Sequence, residues 1–504
     1  MSYLNDLKND TNYIHTENGA VAHKSTMNAV LDLFSMGGAY RNRTDAEVEV
    51  LFGDAYRQNR DLALKCLFYL RDVRGGQGER RFFRVAYKWL IRNDIKTARI
   101  NAVRIPEFGR WDDLIDICFD TELEGRMITI VYNQLESDCN SDYPSLLAKW
   151  MPSENASNAV TKARARRFIR EFDWTPKVYR KTLSKLRERI NVLESIMSGK
   201  EWDEIDFSAI PSVAGMKYRH CFSTREELRD RYAEFMGNKK TKVNASVLNP
   251  VDIAEKVITR RYSRFTQTEI DTLQKYWDNL KDYYHGREEN AIAVVDVSGS
   301  MLGLPMAAAV GMGAYIADKS KGRFANHFIT FSAHPQLVEF NGSNIVEKIC
   351  RCINADWGYN TNIERVMDLL LDTALEHRTP QSEMPARLYI FSDMEFDKGL
   401  SFGRNYDEDH PWRCPAKFGD REDYKTLFEQ IERKWAAAGY KMPKITFWNL
   451  DARQNNIPAI GDNFNYISGF SMSQMESVMA GKSAVDLMLD VLLKDRYKFI
   501  KAWY

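Results

Sequence analysis

The stretch Ala291-Ile292-Ala293-Val294-Val295-Asp296-Val297-Ser298-Gly299-Ser300-Met301 decides the fold. Five apolar residues without alternation predict a strand buried on both faces, as in a parallel sheet lying between helices. Working outward, similar runs recur at Phe328–Phe331, Leu388–Phe391 and Ile445–Leu450. Amphipathic stretches separate them at Pro305–Lys319, Asn362–Leu375 and Asp423–Ala437, which predicts a doubly wound α/β domain over 288–504. Such folds bind ligands beyond the carboxyl ends of their strands, so the residues that follow each run are the candidate site.

Upstream, from about residue 25 to 287, apolar residues recur at helical spacing, as in Leu62, Cys66, Tyr69 and Leu70 followed by Phe82, Phe83, Ala86 and Leu90. This predicts an array of helix pairs, each covering the face its neighbour leaves open, preceded by an N-terminal extension over 1–24. The expected class is therefore α plus α/β.

Composition narrows the function. The chain has 504 residues, 44% hydrophobic and 28% charged, and contains no apolar run long enough for a membrane span. Seven cysteines without C-x-x-C pairs argue against a disulfide framework or a zinc ribbon and for a reducing, cytoplasmic setting. The net charge of +1 conceals two basic stretches, Arg71 to Arg104 with 10 basic and 3 acidic residues, and Lys162 to Arg189 with 11 and 3. Local excess of this kind points to a polyanion.

At the end of the first run, Asp296, Ser298 and Ser300 can direct three oxygens at one point from a glycine-loosened turn. Thr361 before a predicted helix and Asp393 after the strand Leu388–Ser392 add two more donors from separate loops. Oxygen ligands of low total charge suit a hard cation, Mg²⁺ first, with Mn²⁺ or Ca²⁺ as alternatives. Any one of these residues alone reads as a helix cap or turn former; five in this order read as a site. The pattern resembles the metal-ion-dependent adhesion site of von Willebrand factor A domains. That resemblance implies Ser298, Ser300 and Thr361 as ligands, Asp296 and Asp393 acting largely through water, and an open position for an acidic group of a protein partner.

Other motifs carry less. Gly481-Lys482-Ser483 imitates the end of a P-loop, yet follows a helix and lacks its upstream glycine. The glycines of Arg74-Gly75-Gly76-Gln77-Gly78-Glu79 lack dinucleotide spacing and read as an interhelical turn. His327 and His334 lie near no nucleophile elbow, so no catalytic triad is expected, and the chain reads as a non-enzyme.

In the helical half the candidate RNA contacts are Arg71, Arg74, Arg80, Arg81 and Arg84, interleaved with Phe82, Phe83, Tyr87 and Trp89, and a second group, Lys162, Arg164, Arg166, Arg167 and Arg170, continuing to Lys177, Arg180, Lys181, Lys185, Arg187 and Arg189. The second group has two readings, a nucleic-acid surface or a solvated face paired with the acidic runs Asp112–Asp120 and Glu201–Asp206. The segment Leu67-Phe68-Tyr69-Leu70-Arg71-Asp72-Val73-Arg74-Gly75-Gly76-Gln77-Gly78-Glu79-Arg80, with Leu147-Ala148-Lys149-Trp150-Met151-Pro152-Ser153, resembles an uncharacterised family (domain of unknown function 2828) of plants, fungi, large viruses and phages. In layout that family is similar to the TROVE-domain Ro proteins. The resemblance implies HEAT-like repeats joined to a von Willebrand A domain, a monomer, and binding of small structured or single-stranded RNA. Two alternatives stand beside it: a metal-dependent module recruiting an ATPase or assembly subunit, and a metal-dependent nuclease, for which Asp296 and Asp393 offer too few grouped carboxylates.

Overall fold

The computed structural model describes residues 12–190, 193–331, 335–354, 362–397 and 426–504. Its contacts divide the chain into two compact units, Met1–Cys66 with Leu248–Lys494, and Leu67–Val247 with Asp495–Tyr504. Residues 25–66 and 248–287, expected in the helical array, group with the sheet, and the last ten residues group with the helical unit.

The described residues of the first unit form eight strands: β1 (Tyr13–His15), β2 (Val21–His23), β3 (Ala291–Val295), β4 (His327–Thr330), β5 (Leu337–Glu339), β6 (Arg387–Ser392), β7 (Lys444–Asn449) and β8 (Phe464–Ser468). β1 and β2 form an antiparallel hairpin, and the other six form one sheet in the order β5-β4-β3-β6-β7-β8. β3, β4, β6, β7 and β8 run parallel, while the edge strand β5 runs antiparallel to β4, so the expected parallel sheet is mixed at this edge. Every residue of β3, β6 and β8 is buried.

Helix Leu304–Lys319 carries the crossover from β3 to β4 and lies tight on β3 because it is rich in alanine and glycine. A Cβ on Gly313 would sit 2.4 Å from Val295 Cγ2, and one on Gly311 would sit 2.9 Å from the Pro250 backbone in helix Pro250–Ile258. The β7-to-β8 connection, residues 450–463, contains no helix. The N-terminal segment covers that region. His23 and Ile457 exchange backbone hydrogen bonds of 2.8 and 2.7 Å. Helix Ala29–Met36 follows, and the Gly38 N–H donates to Ser468 Oγ at 2.9 Å, an approach that leaves a Cβ on Gly38 only 2.9 Å from Ser468. Residues 12–24 are thus part of the sheet unit rather than a free extension.

The second unit is helical. Helix Arg80–Asn93 turns Phe82, Phe83, Ala86, Tyr87, Leu90 and Ile91 inward, so the aromatics interleaved with the first arginine group belong to the core; Trp89 is half-buried. Phe68 packs edge-on against Phe83 and Phe108 at 5.3 Å each. The C-terminal residues return to this core. Tyr497 stacks on Phe108 at 5.5 Å, Arg496 and Tyr497 both donate to Asp72, and the Trp503 N–H donates to Thr97 Oγ1 at 2.9 Å. Gly75 to Gly78 form the turn between helices Arg60–Arg71 and Arg80–Asn93, as the sequence predicts. Gly76 is required there, since a Cβ would lie 1.9 Å from the Tyr69 carbonyl oxygen.

Among the described residues no helix is long and apolar enough to cross a membrane. The P-loop imitation is a helix cap: Ser483 Oγ accepts from the Asp486 N–H and starts helix Ala484–Leu492.

Candidate functional site

Counted from β3, the sheet order makes β3 and β6 neighbours whose connections leave in opposite directions. Their carboxyl ends form the crevice where doubly wound sheets place ligands. Asp296 follows β3 and Asp393 follows β6, and the Asp296 N–H donates to the Phe391 carbonyl at 3.0 Å, which fixes the two loops together. Both aspartates are buried, Asp296 at 0% and Asp393 at 1% exposure.

Asp296 is held at both oxygens. Its Oδ1 accepts from the Ser298 N–H at 2.9 Å and its Oδ2 from the Ser392 hydroxyl at 2.6 Å. The Ser298 and Ser300 hydroxyls lie 3.0 Å apart on the same turn. Burial, reinforced by the negative charge of Asp393, pushes the Asp296 carboxyl up to about 7. Asp393 Oδ1 accepts from the Glu395 N–H at 3.1 Å, whereas its Oδ2 is buried and accepts no hydrogen bond among the described residues. A buried carboxylate oxygen without a donor, beside a second carboxylate and two hydroxyls, fits a hard divalent cation. Asp393, Ser298 and Ser300 have lone pairs that could hold it; Asp296, already bonded at both oxygens, ties the Ser298 turn to Ser392. Thr361 lies outside the described residues. Among those residues no group of three or more His, Cys, Asp or Glu side chains has metal-binding geometry; the donors gathered here are two carboxylates with hydroxyls.

Several neighbours escaped the sequence reading. The Glu395 carboxylate accepts from the Glu17 N–H at 2.7 Å and the Asn456 amide at 2.8 Å, and the Thr16 hydroxyl donates to the Phe396 carbonyl at 2.7 Å. The turn between β1 and β2 is thereby tied to the loop after β6. Arg453 pairs with Glu17 at 2.8 Å and reaches within 4.0 Å of Asp393 Oδ2. The sole signal in sequence is the acidic spacing Asp393-Met394-Glu395, because the partners come from residues sixty or more positions away.

The arginine-rich motif in the helical unit is a structural network. Arg71 is 2% exposed, and its Nε and Nη2 donate to Asp113 Oδ2 at 2.9 and 2.6 Å. Asp113 Oδ1 accepts from Arg84 Nε at 2.7 Å and Arg80 Nε at 3.2 Å, and Oδ2 also accepts from the Arg110 N–H at 3.0 Å. Arg80 further pairs with Asp112, and Arg84 with Asp116 at 2.5 Å. Arg71 is therefore no RNA contact, since desolvation has already been offset by a carboxylate inside the core. Arg74 is exposed and donates to the Glu107 carbonyl at 3.1 Å; Arg81 is exposed on the same helix as Arg84.

In the second basic group, Arg164 pairs with Asp116, inside the expected acidic run, while Arg167 pairs at 2.7 Å with Glu124, which lies outside both runs. Arg170 meets Glu171 at 3.4 Å. Lys162 and Arg166 on helix Ala159–Glu171 have no carboxylate partner among the described residues.

Residues 16–134 and 132–285 match the family described as a domain of unknown function, DUF2828, and 290–495 match a second such domain, DUF7788. The chain belongs to the DUF2828 family. An uncharacterized protein of Acanthamoeba polyphaga mimivirus is 30% identical to this DUF2828 chain, over 95% of its length and 87% of the viral protein. Among solved structures, the Deinococcus radiodurans Ro (RSR) protein aligns with 93% of the chain and 99% of its own, at 12% identity and a TM-score of 0.40. The glycine-arginine segment Arg71–Arg84 lies within the matched region and closes around Asp113.

Proposed function

We propose that this DUF2828 chain is a non-enzymatic RNA-binding protein whose helical unit neutralises phosphates. The observation that carries the reading is the unpaired positive charge on two successive helices. Helix Pro176–Ile190 turns Tyr179, Leu183 and Leu186 into the core and leaves Lys177, Lys181 and Lys185 exposed; with Lys162 and Arg166 they have no carboxylate partner among the described residues. Such groups release counterions when they meet a polyanion, so affinity falls with salt. Anisotropy titrations of labelled RNA across a range of KCl concentrations test this. Each phosphate contact contributes about 0.7 to the log–log slope on a single strand. Replacing Lys177, Lys181 and Lys185 by Ala should therefore flatten the slope by about two. An affinity indifferent to salt or to those substitutions refutes it.

A second reading is favoured by the buried Asp393 Oδ2, which accepts no hydrogen bond among the described residues: a divalent cation, Mg²⁺ or in its place Mn²⁺ or Ca²⁺, held by a von Willebrand A-type loop and capturing an acidic side chain of a protein partner. When bound, the cation would supply a Lewis-acidic open position. Titrating the chain with Mn²⁺ and reading free ion by electron paramagnetic resonance tests it; wild-type protein should bind and Asp393→Ala should not. Equal binding by both refutes it.

A further inference from the structure

The lysine face ends in a construction that neither pairing nor packing accounts for. Residues four apart on a helix lie along one ridge, about 6 Å from each other. Lys177, Lys181, Lys185 and Arg189 follow that spacing, with Glu188 as a carboxylate beside them. The guanidinium of Arg189 does not point to solvent. Its Nη1 donates to the carbonyls of Asp138 and Cys139 at 3.3 Å each, and its Nη2 to the carbonyl of Ser141, so the ridge is locked to the end of helix Glu124–Asn140. The loop that follows is fixed at both sides. Asp138, 2% exposed, accepts from the Ser145 N–H at 2.9 Å and the Ser145 hydroxyl at 2.7 Å, and the Tyr143 N–H donates to Ser141 Oγ at 3.1 Å. On this braced loop Tyr143 is 92% exposed, and its side chain makes no ring contact or hydrogen bond among the described residues.

A rigid loop that holds a whole aromatic ring in water, at the end of a row of unpaired lysines, has the two parts by which proteins hold unpaired nucleic acid: cations along the backbone and a ring on which a base stacks. We propose that this ridge takes single-stranded RNA and that Tyr143 is its base-stacking platform. The inference rests on the RNA-binding reading and adds the strand class and the residue. A duplex would meet the lysines equally well, but its base faces are covered by their neighbours and cannot reach the ring.

The test uses the full chain and three fluorescein-labelled probes of about 12 nucleotides, within the site size of known single-strand binders: an oligouridylate, the same length carrying abasic sugars, and a duplex. Tyr143→Ala should weaken oligouridylate binding by about tenfold, within the range measured for one stacked base, and Tyr143→Phe should retain it. Neither should change binding of the abasic strand or the duplex, nor the slope against salt. A Tyr143→Ala chain that binds oligouridylate like wild type, or that loses abasic and duplex affinity equally, overturns the platform. Failure of the parent reading looks different: no probe binds in a salt-dependent way, and the triple lysine variant equals wild type. Tyr143 is fully solvated and makes no core contact, so loss of fold does not confuse the result.

Discussion

Replacing Asp113 by Asn removes one charge and keeps the shape, and it tests whether the arginine network around it is a stability device. Asp113 is 0% exposed and accepts two bonds from Arg71, one each from Arg80 and Arg84, and one from the Arg110 backbone. Its loss leaves Arg71, itself 2% exposed, as an uncompensated charge in the core, and an amide NH₂ facing guanidinium donors. Breaking a buried pair in this way costs about 3–5 kcal/mol. For the helical unit of roughly 190 residues, that corresponds to a fall in Tm of about 6–20 °C. Arg71→Ala should cost less, because Asp113 keeps Arg80 and Arg84. The control is Glu107→Gln, which breaks a pair with Arg104 at 3.1 Å whose members are 45% and 38% exposed and should cost under about 0.5 kcal/mol. Calorimetry or far-UV dichroism on the three variants measures the order. An Asp113→Asn chain melting within about 2 °C of Glu107→Gln refutes the buried-network account.

The same carboxylate makes stability depend on pH. Burial alone would raise its pKa, but Arg71 and Arg84 outweigh that and hold it below the usual 3.8, so its contribution is complete above that value and is lost as pH falls through the lower folded value; urea midpoints should drop more steeply below pH 4 in wild type than in Asp113→Asn. Gly76→Ala should destabilise by about 1–3 kcal/mol or more, because its Cβ would meet the Tyr69 carbonyl oxygen at 1.9 Å, whereas Gly78→Ala, with open space around it and φ of +71°, should cost about 1–2 kcal/mol from backbone strain alone; thermal melts separate the two. Glu188→Gln, which removes a carboxylate from the lysine ridge, should tighten RNA binding at low salt, and a weaker complex would show that the ridge is not the contact. Mg²⁺ at a hundred times its dissociation constant should raise stability by about 2.7 kcal/mol in wild type and not in Asp393→Ala, read as a thermal shift.

What could be read from sequence was whatever depends on neighbours along the chain. β3 was legible to the residue, since five apolar residues buried on both faces leave no other interpretation, and Asp296 followed from its position at the strand end. β8 was not, because Asn465, fully buried, interrupts its apolar run, and β5 is three residues long on an exposed edge. Arg71 shows the deeper limit. In sequence an arginine beside four others reads as surface, and the partner that buries it is 42 residues away. The acidic run at 112–116 was visible as a counter-charge, but its assignment went to the second basic group, where it meets Arg164, while most of its charge is spent on Arg71, Arg80 and Arg84. Charge density along a chain therefore measured how much cation was present and not how much was free. In the folded unit Arg71, Arg80 and Arg84 of the first group and Arg164, Arg167 and Arg170 of the second meet carboxylates, whereas Lys177, Lys181 and Lys185, in the continuation of the second group on helix Pro176–Ile190, have none among the described residues. Lysine's compact, strongly hydrated charge is poorly suited to a buried fork such as the one around Asp113, and arginine fills those positions. A basic stretch that is arginine-rich near an acidic run should accordingly be read as a core network first, and the lysine-rich continuation beyond it as the surface that a polyanion meets.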